Sequence, residues 1–69
     1  MKISARNTLK GMIVDIVKGA TTSHVRIDIG GGAVVTASIT NEAVDELKLT
    51  VGRQAYAVVK ASDVMVGVD

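Results

Sequence analysis

The chain has no cysteine, one histidine (His24) and one aromatic residue (Tyr56) in 69 residues. Without cysteine there is no disulfide and no thiolate metal centre, and a lone histidine cannot build a cage for a bare metal cation. A single tyrosine cannot supply the aromatic platforms on which single-stranded nucleic acid stacks. An excess of charge of one sign is lacking too. The formal net charge is +1, which gives no global field toward nucleic acid or an acidic membrane. No apolar run approaches the roughly 20 residues that cross a bilayer. Lys2 is not followed by an apolar stretch, so no signal peptide is expected. A cytoplasmic setting without a membrane or nucleic-acid partner is therefore the expectation.

Aliphatic residues make up most of what remains. The chain is 48% hydrophobic, and Val, Ile and Ala dominate that fraction. A chain of this length is one domain, residues 1–69, with a modest core. Small scaffolds need a staple, and with disulfides and metals excluded the staple left is association with other subunits. Aliphatic strand faces not used by the small core need a partner to cover them. A homo-oligomer is expected.

The order of elements follows from periodicity. Leu9 to Val17 is nearly continuous in apolar residues and reads as a first strand buried on both faces. Lys18 to Thr22 breaks it as a loop. From His24 to Ile29 the pattern alternates: Val25, Ile27 and Ile29 face one way, His24, Arg26 and Asp28 the other. Gly30-Gly31-Gly32 forms a tight hairpin, since glycine takes positive φ freely. Ala33 to Thr40 alternates again. Ala43, Val44 and Leu47 then fall at helical spacing, with Thr40 or Asn41 as the amino-terminal cap and Glu42, Asp45 and Glu46 early, where the helix dipole favours acids. Strands follow from Arg53 to Val59 and, after a turn at Lys60–Asp63, from Val64 to Val68. An all-β chain of five strands, with one short helix between the third and fourth, predicts an OB-like Greek-key barrel. A five-stranded sandwich is the alternative.

Chemistry is concentrated in few places. His24 lies on the polar face of its strand and reads as a rim residue. The glycine triplet lacks the Lys-Ser or Lys-Thr that completes a phosphate loop, and no helix follows it. No Ser or Cys pairs with His24 in the manner of a nucleophile and base, so no enzymatic activity is expected. Ser4-Ala5-Arg6-Asn7 and Lys60-Ala61-Ser62 each combine a cation with a hydroxyl. A tetrahedral oxyanion offers only acceptors and needs such donors, charged, hydroxyl and backbone N–H alike. Residue types alone do not separate this reading from solvated turns.

The opening Ile3-Ser4-Ala5-Arg6-Asn7 with Leu9-Lys10-Gly11, and the ending Ala57-Val58-Val59-Lys60-Ala61-Ser62-Asp63-Val64-Met65, resemble molybdate-binding Mop domains, the molbindins. Ser38-Ile39-Thr40 before the helix fits as well, and the likeness spans the chain. The resemblance implies an OB-like domain in a hexamer, a trimer of dimers whose neighbours exchange strands. It implies binding and storage of molybdate, and of tungstate equally, with no catalysis and no catalytic cofactor. Carried over by position, Ser4, Ala5 and Arg6 match one anion loop, and Lys60, Ala61 and Ser62 the other. Thr40 matches a hydroxyl given by a neighbouring subunit. Ala43 stands where related sensor domains can carry a serine ligand. A second class of anion site near a symmetry axis is matched by Gly19, Ala20, Thr21 and Thr22. An oligomeric OB-fold module without a specific ligand and a single-stranded nucleic-acid binder are the rival readings.

Overall fold

The computed structural model describes residues 1–69. Four strands, one α-helix and one 3-10 turn follow in the order β1 (Asn7–Lys18), β2 (Thr22–Gly30), β3 (Ala33–Thr40), α1 (Asn41–Glu46), β4 (Gln54–Val59) and η1 (Ala61–Asp63). All pairings are antiparallel, and the sheet order is β3-β2-β1-β4. Three consecutive strands with a fourth returning beside the first is Greek-key connectivity, as the pattern predicts.

β1 is shared between two partners. Its first half, Asn7 to Met12, pairs with β4, and Met12 to Lys18 pairs with β2. The change of partner coincides with a bulge between Ile13 and Asp15. A bulge adds an unpaired residue, bends the strand and increases its twist, which curls the sheet. Gly11 sits in this bend. A Cβ there would collide with the Asp28 carbonyl oxygen and approach Ile27 Cγ2 at 2.8 Å, so the close approach of β2 requires glycine.

The hairpin between β2 and β3 turns on Gly30, Gly31 and Gly32, at φ 93°, 63° and 82°. Inward residues of the strands meet Val44 of α1 to form the core: Ile13, Val25, Ile27, Val44 and Ala57 are buried, with Ile16, Ile29, Val35, Ile39, Leu49 and Ala55 packed around them. Thr40 rather than Asn41 caps α1, its Oγ1 accepting the Ala43 N–H at 3.1 Å. At the other end the Arg53 guanidinium donates to the carbonyls of Leu47 and Lys48 at 2.7 and 2.8 Å. These bonds satisfy acceptors that a helix end leaves open.

Two expectations are corrected. Val64 to Val68 forms no strand, so the sheet has four strands and not five. These residues have strand-forming side chains but no partner strand within the chain, and Met65, Val66 and Val68 are 93%, 92% and 95% exposed. β1 is also not buried on both faces: Ile13 is enclosed, whereas Met12, Val14 and Val17 are exposed. Within the chain no element packs as a second layer over the outer face. The inner face is incompletely closed as well. An apolar cleft of about 670 Å³ opens over it, lined by Val35, Ala37 and Ile39 of β3 and Ala55, Ala57 and Val59 of β4, among others. No helix is long and apolar enough to cross a membrane.

Candidate functional site

The register of β1 on β4 brings the two sequence-distant donor segments together. Asn7 is paired with Val59, and the Asn7 side-chain amide donates to the Val59 carbonyl at 3.2 Å. Arg6 therefore leaves the sheet beside the point where Lys60 leaves it. Asn7 itself was read only as part of the opening motif, and its bracing role needs the pairing to become visible.

Beyond that junction both segments depart from the ladder. Lys60 is extended (φ −65°, ψ 137°) and leads into η1. Its carbonyl accepts the Asp63 N–H at 2.9 Å, and the Ala61 carbonyl accepts the Val64 N–H at 3.3 Å. The turn thus spends the carbonyls of Lys60 and Ala61 on the N–H groups of Asp63 and Val64. The backbone N–H groups of Ser4, Ala5, Arg6, Lys60, Ala61 and Ser62 have no partner within the chain. Neither the Arg6 and Lys60 cations nor the Ser4 and Ser62 hydroxyls bond within the chain. Ser4, Arg6, Lys60, Ala61 and Ser62 are exposed, and Ala5 is half-buried. Two cations, two hydroxyls and a set of free amides at one end of the sheet form an acceptor-seeking surface. An anion that carries several oxygens matches it.

Thr40 lies elsewhere. It pairs with Thr22, at the end of the sheet where β1 finishes, whereas Lys60 follows the end where β1 starts. A single chain does not bring Thr40 to the Arg6–Lys60 end. Thr40 instead neighbours the β1–β2 loop, residues 19–21. Ala43, in the first turn of α1, is half-buried, and its N–H is committed to the Thr40 cap.

The β1–β2 loop is built around Asn41. Its backbone N–H donates to the Thr21 carbonyl at 3.0 Å and its side-chain amide to the Gly19 carbonyl at 3.0 Å. Its Oδ1 accepts from the Ser23 hydroxyl at 2.5 Å. Gly19 N–H is spent on the Thr22 carbonyl at 2.8 Å. Ala20 and Thr21 keep N–H groups without a partner in the chain. Beside the loop, a cleft of about 250 Å³ is lined by Val17, Gly19, Thr22 and His24. His24 is exposed on the polar face, as expected. Lys18 at the foot of the loop pairs with Asp45 of α1 at 3.3 Å, both side chains largely in solvent.

Sequence reasoning missed Ser23 and Asn41. Ser23 is fully enclosed on the same face as Val25 and Ile27. A hydroxyl at that parity is the available signal, but the alternation read from His24 to Ile29 stops one residue short of Ser23.

Fold and unspent donors together make a small antiparallel β-sheet domain with an acceptor-seeking surface at one end. Residues 3–66 match the TOBE domain model, and the chain belongs to the TOBE domain family. It is 55% identical to a probable molybdenum-pterin-binding protein of Haemophilus influenzae, over 69 residues and the whole of both chains. Among solved structures it superposes on apo MopII from Clostridium pasteurianum with a TM-score of 0.90 at 43% identity, covering 97% of this chain and 100% of that one. It also superposes on ModG, a cytoplasmic molybdate-binding protein solved with molybdate bound. There the TM-score is 0.94 at 43% identity, over 100% of this chain and 49% of that one.

Proposed function

We propose that the protein binds molybdate, and tungstate with it, for intracellular storage and homeostasis of the metal. The observation that carries this reading is the pairing of Asn7 with Val59, which sets the unspent donors of Ser4-Ala5-Arg6 beside those of Lys60-Ala61-Ser62. In this reading Arg6 and Lys60 supply charge, Ser4 and Ser62 supply hydroxyls, and the turn amides direct the oxyanion. Binding is the whole of the activity, with no turnover and no catalytic cofactor.

The site lies at subunit interfaces. Thr40, at the far end of its own chain's β1, reaches the Arg6–Lys60 end of a neighbour. The uncovered aliphatic surface and the unpaired tail support association, and the assembly is a hexamer, a trimer of dimers, in the cytoplasm. The β1–β2 loop, with Gly19, Ala20 and Thr22, provides a second class of oxyanion site. Similarity to proteins described as molybdenum-pterin-binding and molybdate-binding supports the choice of anion.

Titration calorimetry with molybdate, tungstate, sulfate and a single-stranded oligonucleotide tests the reading. Heat is expected with the first two and little with the others. No heat with molybdate leaves a module that serves packing alone, and heat with the oligonucleotide replaces the oxyanion with nucleic acid.

A further inference from the structure

Asn41 is the first residue of α1, one position after the residue whose side chain caps a helix start. Thr40 has taken that role, so the Asn41 carboxamide is free, and both of its ends are spent across the β1–β2 loop. The Nδ2 group holds the Gly19 carbonyl, and Oδ1 receives the hydroxyl of the enclosed Ser23. Together with its backbone bond to Thr21, one residue fixes the loop from both sides. The carbonyls of Gly19 and Thr21 are drawn toward Asn41. With the Gly19 and Thr21 carbonyls engaged, the N–H groups of Ala20 and Thr21 are the loop's unspent donors. An oxyanion needs that polarity, because a carbonyl turned toward it would repel it.

We propose that Asn41 is the positioning residue of the second oxyanion site: it touches no anion, and it holds the β1–β2 loop in the one polarity that receives an oxyanion beside the Gly19–Thr22–His24 cleft. The inference rests on the reading of that loop as an oxyanion site. It adds a residue from α1 to a site otherwise made by β1, β2 and their connection. It also assigns a use to the buried Ser23 hydroxyl, which orients the Asn41 amide so that nitrogen faces Gly19.

The test is a titration of the full chain with sodium tungstate, followed by backbone amide NMR shifts at Ala20 and Thr21 for the loop and at Ala61 and Ser62 for the other end. Two variants are compared with the wild type. Asn41→Asp keeps the acceptor for Ser23 and loses the donor to Gly19. The double variant Ser23→Ala/Asn41→Ala removes the whole lock without adding charge and without stranding the buried hydroxyl. Expected is a loss of at least tenfold in tungstate affinity at Ala20 and Thr21 in both variants, with affinity at Ala61 and Ser62 changed less than about threefold. A general loss of structure would move both pairs of amides together and would overturn the positioning role. Loss in Asn41→Asp alone reports charge repulsion and also overturns it. Loop affinity unchanged in both variants overturns the lock while leaving the loop site standing. If the wild-type Ala20 and Thr21 amides never respond to tungstate while Ala61 and Ser62 do, the second site itself fails, and the lock with it.

Discussion

Lys60 follows β4, just past the point where the ladder stops, and its ammonium is unpaired. Hydrogen bonds to a charged partner contribute roughly 1.5–3 kcal/mol, and each 1.4 kcal/mol is a factor of ten. Lys60→Met keeps much of the apolar stem and removes the charge. Molybdate affinity measured by calorimetry should fall about ten- to a hundredfold with assembly intact. A loss of less than about threefold would exclude Lys60 as a ligand, since that is only about 0.6 kcal/mol. Arg6→Ala separates two roles. If the guanidinium binds the anion, affinity falls; if it braces a neighbour, the melting temperature falls instead. Both unchanged would remove Arg6 from the site. Gly11 makes a different prediction at the same scale. A methyl group there has nowhere to go against Asp28 and Ile27, and overpacking typically costs about 1–3 kcal/mol. Denaturant unfolding of Gly11→Ala should show that loss, and unchanged stability would mean that the β1 bend relaxes freely.

Among the elements, β2, β3 and their glycine turn were legible because alternation and positive-φ residues are local signals. The helix was legible too, although its cap fell to the earlier of two candidates. Thr40→Ala should cost about 1 kcal/mol through the lost cap, read as a lower urea midpoint at constant slope. An intact midpoint would place the stability of α1 in Val44 packing alone. β1 was misread as buried on both faces for a specific reason. Leu9, Gly11 and Ile13 point inward, and after the bulge Ile16 does, so the phase slips by one residue and the apolar positions look continuous. The Val64–Val68 strand was misread because its side chains predict a strand and only a partner can complete one. The donor site was legible as two halves. Their meeting was not, since the register of Asn7 on Val59 is set by core packing far from either motif.

For the molecule as a whole, an open apolar cleft, an uncovered outer face on β1 and an unpaired tail leave much of the hydrophobic fraction in water. A single core of five buried residues is small support for an ordered domain, and exposed patches of this kind mark interaction surfaces. Light scattering should therefore report a stable oligomer of about six subunits, the number implied by the resemblance to the molbindins. A well-folded monomer at micromolar concentration would sink both the assembly and the interface site.

The tail also carries its own chemical label. Met65 is 93% exposed in the lone chain, and a thioether in water is oxidised by peroxide to a polar sulfoxide. If assembly covers the tail, the rate of Met65 oxidation becomes a clock for assembly, slow in concentrated protein and fast on dilution. Met12 on the outer face of β1, about half-exposed, provides the internal comparison by mass spectrometry. Once formed, the sulfoxide would put a polar group on a tail that is otherwise apolar and unpaired. Oxidative damage would then act on this protein first by taking subunits apart, and only afterwards by unfolding them.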